Sequence, residues 1–86
     1  MDTNPEKYGL SKRTKLELID ENTIAIVKLI KSRIIQKDAK KIIEMSEKIK
    51  SVKQNTGVAL ICTENICSKS KALLKDNGIE IVFREI

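Results

Sequence analysis

Apolar and polar residues alternate on both sides of a short turn-forming segment near the start of the chain. Leucine occupies every second position in 16–18, isoleucine does so in 24–26, and the Asp-Glu-Asn tripeptide 20–22 lies between them. Alternation is typical of a strand with one buried face, and Asp and Asn favour tight turns. The pattern predicts a β-hairpin whose second strand runs on through Lys31.

A helical spacing of apolar residues follows the hairpin, between Lys37 and Gln54. The apolar positions are Ala39, Ile42, Ile43, Met45, Ile49 and Val52. Steps of three and four residues place such side chains on one face of an α-helix. Asp38 in the first turn suits the positive end of the helix dipole. We expect one long helix here, ended by residues 55–57.

The last thirty residues predict a strand, a helix and a strand. Residues 58–62 are an uninterrupted apolar run, which is typical of a central strand covered on both faces. Thr63 or Asn65 is expected to cap a second helix, and Asn77-Gly78 to end it. Residues 79–83 form the last strand. A helix that joins two strands of one sheet normally makes them parallel.

Together these elements predict one small α/β domain. We expect a mixed four-stranded sheet in the order β-β-α-β-α-β within residues 15–86, preceded by a polar arm of residues 1–14 that forms at most one short helical turn. A chain of 86 residues supports only one thin core. A hydrophobic content of 41% and a charged content of 34% are close to globular averages and argue against general disorder.

The apolar runs are too short to cross a bilayer, which requires about 20 apolar residues, and residues 1–6 lack the apolar stretch of a signal peptide. We therefore expect a cytoplasmic protein with no membrane partner. A net charge of +5 and a pI near 9.3 suit a polyanionic partner, DNA or RNA.

The densest group of basic residues spans the end of the hairpin and the start of the long helix. It consists of Lys28, Lys31, Arg33, Lys37, Lys40 and Lys41. With no aromatic residue among them, contacts should go to phosphates and carry little sequence preference. Two other interpretations remain open: the lysines are an ordinary solvated helix face, or the chain is a homodimeric scaffold with no nucleic-acid role.

The residue types that usually carry enzyme chemistry are scarce. The sequence has no histidine and only two cysteines, Cys62 and Cys67, so we expect no metal and no cofactor. Buried free thiols are the expected state of the two cysteines, with a disulfide as the alternative.

From residue 15 to residue 85 the chain resembles the restriction-endonuclease-like PD-(D/E)xK superfamily, most closely its Mrr and RecB-type branches. The resemblance depends on a hairpin whose second strand ends in Lys31-Ser32-Arg33, on the helix that follows, on residues 57–61 and on the ending 71–81. It implies a restriction-endonuclease-like core. Enzymes of this family hold a divalent ion between an Asp on the first hairpin strand and a Glu placed two residues before a Lys on the second.

The sequence departs from the family at the catalytic positions. Lys31 matches the lysine, but Leu29 occupies the glutamate position, and Glu17 is the nearest substitute for the first acid. A two-residue hairpin loop would pair Glu17 with Ile26, on the opposite face from Lys31, and a three-residue loop would pair it with Ala25, on the face of Leu29 and Lys31. The resemblance therefore implies a non-catalytic nuclease-like domain that binds nucleic acid, with a residual metal-dependent nuclease as the alternative.

Overall fold

Four strands form the sheet of this computed structural model, which describes residues 3–85. They are β1 (Lys15–Asp20), β2 (Thr23–Lys28), β3 (Gly57–Cys62) and β4 (Ile79–Phe83), and they lie side by side in chain order. β1 is antiparallel to β2, while β2, β3 and β4 are parallel. The prediction of a small α/β fold with a mixed sheet is confirmed. The first two residues of the predicted arm and the last residue of the predicted domain lie outside the described residues.

Both helices pack on the same face of the sheet. α1 (Gln36–Val52) connects β2 to β3, and α2 (Ser68–Asp76) connects β3 to β4. The main core joins the helices to one face of every strand: Leu16, Ile24, Ile26, Val58, Leu60, Cys62 and Ile79 of the strands pack with Ala39, Ile42, Ile49 and Leu74 of the helices. The opposite face carries a smaller cluster made by Ala25, Ala59 and Ile61, to which neither helix contributes.

β3 is the central element of this packing. It is hydrogen-bonded to β2 on one side and to β4 on the other, and its residues 58–62 are all buried. Its sequence explains this position, because a strand covered on both faces needs apolar side chains at consecutive positions. Gly57, which precedes the run, lies close to β2: a Cβ atom there would be 3.0 Å from the Thr23 hydroxyl.

β2 ends three residues earlier than the apolar pattern predicts. Its last residue, Lys28, pairs with Cys62, which is also the last residue of β3. Beyond that pair β2 has no parallel partner to which it can hydrogen-bond, and the chain leaves the sheet. Leu29 and Ile30 are still half-buried, the first against the small cluster and the second against the main core. Extension of the strand through Lys31 was therefore a wrong prediction.

α2 also begins later than predicted. Its N-cap is Cys67, whose sulfur accepts the Ser70 N–H. The two residues predicted as caps form other hydrogen bonds. The Thr63 hydroxyl accepts the Asn65 N–H, and the Asn65 side chain donates to the Lys31 carbonyl. Ile66 is held extended by a parallel bridge to Ile34, which delays the helix. At the other end the prediction is confirmed, since Gly78 has a left-handed φ of 73° after the last turn.

Before β1, residues 4–10 pack against α1. They contain a short 3-10 helix, Pro5–Tyr8, whose Asn4 cap accepts the Glu6 N–H. Tyr8 and Leu10 are buried in the main core. Within residues 3–85, the helices are too short and too polar to cross a lipid bilayer.

The central position of β3 predicts which truncations cost stability. Leu60→Ala should lower the free energy of unfolding by about 2–5 kcal/mol, because it leaves a cavity at a fully buried position. Val52→Ala removes two methyl groups from a side chain that is 57% exposed, and should change stability by about 0.5 kcal/mol or less. Urea unfolding of the two variants measures both. An equal loss in the two would contradict the assignment of β3 as the core strand.

Candidate nucleic-acid interface

The parallel strands direct their carboxyl ends to one side of the sheet, which we call the C-terminal edge: the last residues of β2, β3 and β4 together with the loops that follow them. The first two loops are tied together at this edge. The Ile34 N–H donates to the Asn65 carbonyl at 2.9 Å, and the Cys67 N–H donates to the Ile34 carbonyl at 3.0 Å. The Asn65 side-chain amide donates to the Lys31 carbonyl at 3.0 Å. These bonds give the loop that carries Lys31 a fixed backbone.

Four of the six predicted basic residues lie at the C-terminal edge. Lys28 ends β2, Lys31 and Arg33 lie in the loop after it, and Lys37 is in the first turn of α1. Lys31, Arg33 and Lys37 are exposed. Lys40 and Lys41 lie about one turn farther along α1, also exposed, and they flank the edge rather than forming it.

Two basic residues that the sequence argument did not include join this group. Lys15, the first residue of β1, pairs with Val27, so its backbone lies at the same end of the sheet as Lys28, while its side chain is on the helix-free face. Arg13 lines a cleft of about 230 Å³ together with Lys15 and Lys28. The hairpin register could have indicated Lys15, since β1 returns antiparallel along β2. We call the resulting surface the basic edge: Arg13, Lys15, Lys28, Lys31, Arg33 and Lys37.

One carboxylate partly neutralises the positive charge of the basic edge. Asp38 in the first turn of α1 accepts the Ile35 N–H at 3.0 Å and lies 3.9 Å from the Lys28 ammonium. The carboxylate thus occupies the N-terminus of the helix, where a phosphate would otherwise be favoured. Among the described residues, Lys28 is the one member of the basic edge that forms an ion pair. The backbone N–H groups at this helix end are therefore less available to an anion than the basic side chains around them.

The hairpin register settles where the proposed catalytic relics lie. Glu17 pairs with Ala25, with a bulge between Leu18 and Asp20, so its side chain is on the helix-free face of the sheet. Lys31 lies in the loop beyond the end of β2, where strand alternation no longer sets its direction. Leu29, at the family's glutamate position, packs against the small apolar cluster on the helix-free face.

The Glu17 carboxylate forms a two-pronged ion pair with Arg84. The guanidinium donates to both carboxylate oxygens, at 2.8 and 3.0 Å. Glu17 is on the first strand and Arg84 follows the last, so the side chains meet across the helix-free face over β2 and β3. Ile61 is only 1% exposed on that face although neither helix covers it. The hydrogen bonds from Arg84 lower the pKa of Glu17, and the same bonds raise the pKa of Arg84.

The two cysteines are free thiols in different surroundings. Cys62 is buried, as predicted, and burial raises its pKa. Cys67 is only half-buried and caps α2, which corrects the prediction that it lies inside the helix and is buried. Its sulfur lies 2.8 Å from the Ser70 hydroxyl, and hydrogen bonds from Ser70 lower its pKa, with a smaller contribution from the charge of Arg33.

The described residues contain no group of three or more His, Cys, Asp or Glu side chains placed to hold a metal ion. No protein-family model, curated protein sequence or solved structure matches this chain.

The lowered pKa of Glu17 gives a pH-dependent contribution to stability. A carboxyl group with a depressed pKa in the folded state stabilises the fold above its ordinary pKa of 4.5, and this contribution is lost as the pH falls through the depressed value. We expect Glu17→Gln to lower the thermal midpoint at about pH 5 to 7 and to have progressively less effect below about pH 4. A difference from wild type that does not change with pH would contradict the ion pair.

The cysteine surroundings predict unequal thiol reactivity. Cys67 should react with a thiol-specific disulfide reagent near neutral pH well before Cys62, because it is more exposed and its pKa is lowered. Single variants Cys62→Ser and Cys67→Ser assign the two phases. Ser70→Ala should slow the Cys67 phase, since it removes the hydroxyl next to the sulfur. Equal rates in the two single variants would show that the cap does not activate the thiol.

Proposed function

We propose that this chain is a non-catalytic domain that binds DNA or RNA through phosphate contacts along the basic edge. The observation that carries the proposal is the convergence of three separate segments. Residues 13–15, the end of β2 with its loop, and the first turn of α1 bring six basic side chains to one edge. Such a cluster is a favourable site for a polyanion, because each neutralised phosphate releases condensed counterions.

The fixed backbone of the loop supports this interpretation. Lys31 and Arg33 lie between the end of β2 and the Ile34 bridge, and the carbonyl of Lys31 is itself hydrogen-bonded to Asn65. A charged side chain on a fixed loop loses less conformational freedom on binding than one on a mobile segment. These two residues are therefore the proposed centre of the interface, with Lys28 and Lys37 beside them and Lys40 and Lys41 at the flank.

We also propose that the fold is a degenerate relative of the restriction-endonuclease-like core, as the sequence resemblance implies. The mixed sheet, in which a hairpin is followed by parallel strands, supports it. The absence of catalysis is supported by two side chains: Leu29 is packed in an apolar cluster where the family places a metal-binding glutamate, and the Glu17 carboxylate is bound by Arg84. The free thiols agree with a reducing compartment such as the cytoplasm.

A second candidate, an interaction or scaffold protein that forms a homodimer, is favoured by one observation. β1 is an edge strand, and Leu18 and Ile19 on it are 43% and 42% exposed. An exposed apolar edge strand offers hydrogen-bonding groups and a surface for a second copy of the chain. Sedimentation of the purified chain with and without an oligonucleotide separates the candidates, because the first predicts a complex with nucleic acid and the second predicts a dimer without it.

The proposal predicts a strong salt dependence of binding. With about three to five phosphate contacts, the slope of log affinity against log salt should be about −3 to −4.5 on duplex DNA. Lys31→Glu combined with Arg33→Glu should weaken binding and make that slope shallower by about two contacts, or 1.8. Fluorescence anisotropy of a labelled duplex at several salt concentrations measures both quantities.

The matched control is Lys53→Glu combined with Lys75→Glu. Both lysines are exposed and lie at the C-terminal ends of the helices, at the opposite end of the strands from the basic edge. The control changes the net charge by the same amount as the test variant. It should retain most of the wild-type affinity and slope. If both double variants lose affinity alike, the effect is net charge only and the basic edge is not a site. If the wild type fails to bind even at about 50 mM salt, the proposed nucleic-acid binding is refuted.

A further inference from the structure

A second cleft lies at the same edge of the sheet, beside β4. It has a volume of about 460 Å³ and is lined by Thr63, Glu64, Phe83, Arg84 and Glu85. Phe83 is the one phenylalanine of the chain, and its side chain is 48% exposed. The exposed part of this ring offers a flat apolar surface to a ligand in the cleft.

The strand register places this ring in line with the basic edge. Lys28 pairs with Cys62, and Cys62 pairs with Phe83, so the three residues form one row across the C-terminal edge. Two strand spacings separate Lys28 from Phe83, about 10 Å. A polynucleotide whose phosphates contact the basic edge is thus within reach of the ring.

The chemistry of the cleft favours a base over a phosphate. Glu64 and Glu85 line it, and carboxylates repel phosphate but accept hydrogen bonds from the exocyclic amino group of a base such as cytosine. The Arg84 guanidinium is paired with Glu17, whose negative charge offsets its attraction for an anion. The Lys71 ammonium lies over one face of the Phe83 ring, 5.8 Å from its centroid, so a base would stack on the other face with the ammonium near its phosphate.

We infer that the cleft is a stacking site for one unpaired base of a single-stranded nucleic acid, with Phe83 as the stacking platform. The inference rests on the proposed function and adds a ligand class to it. The phosphates contact the basic edge and Lys71, while one base leaves the strand and stacks on the ring. A blunt duplex keeps its bases stacked in pairs and so engages only the phosphate contacts.

The experiment uses the absence of tryptophan from the chain. Phe83→Trp places a single indole in the cleft, and a base that stacks on it should quench its fluorescence. Titration with a short oligo(dC) should quench the fluorescence, while a blunt duplex of equal length should bind without quenching. Val52→Trp is the matched control, because Val52 is exposed at the opposite end of α1, and its indole should not respond to either probe.

Phe83→Leu tests the contribution of the ring to affinity. It keeps an apolar side chain and removes the stacking surface, so the affinity for oligo(dC) should fall about 5- to 100-fold while the affinity for the duplex is unchanged. Circular dichroism and thermal unfolding establish that the variant folds. If it does not fold, the quenching of Phe83→Trp decides the question alone.

The outcomes separate this inference from the proposed function. If the wild type binds both probes with the expected salt dependence, but Phe83→Trp is not quenched and Phe83→Leu binds oligo(dC) as tightly as the wild type, the stacking site is refuted and the phosphate interface stands. If the wild type binds neither probe, the proposed function is refuted, and the stacking site with it.

Discussion

Parallel pairing of β2, β3 and β4 is the constraint on which the rest of the structure depends. Parallel strands cannot be joined by tight turns, so each connection must cross back along the sheet, here through α1 and α2. As a result, all three strands end at the same side. This register places Lys28, Cys62 and Phe83 in one row across the three strands. Most residues of the proposed interface lie at this row, in the loops just beyond it or near the start of β1.

The two faces of the sheet are covered in different ways, and this is how a chain of 86 residues supports the arrangement. One face is covered by both helices, which supply the main core. The other carries a smaller apolar cluster in which Ala25, Ala59 and Ile61 are buried without help from a helix. The ion pair between Glu17 and Arg84 spans this face and links the two outer strands. A side chain that the family resemblance would assign to catalysis has here a structural role.

Local sequence patterns were sufficient for the elements whose boundaries are set locally. The apolar run of β3, the helical spacing of α1 and the Asn-Gly stop after α2 contain their own signals, and the structure has each of them. The wrong boundaries depend on contacts between distant residues. β2 stops at Lys28 because β3 stops at Cys62, and α2 starts late because Ile66 is bridged to Ile34. Neither partner can be found from the segment itself.

The proposed interface also combines residues that local sequence indicates with residues that only distant contacts bring together. The lysines between β2 and α1 are close in sequence and could be grouped without a structure, whereas Lys15 and Phe83 join them only through strand pairing. The partner of Glu17 is 67 residues away, so no local pattern could indicate that its carboxylate is bound by Arg84. The chemistry of this chain is therefore determined by its topology more than by any short motif.

The most direct test of this account is to map the binding surface by amide chemical-shift changes during titration of the isotope-labelled protein with a short oligo(dC). The largest changes should fall on the C-terminal edge, in residues 28–37, 63–69 and 83–85, with smaller ones in 13–15. Residues 20–23 and 53–57, at the other end of the sheet, should change little. Changes concentrated at that opposite end, or spread evenly over all exposed lysines, would contradict it.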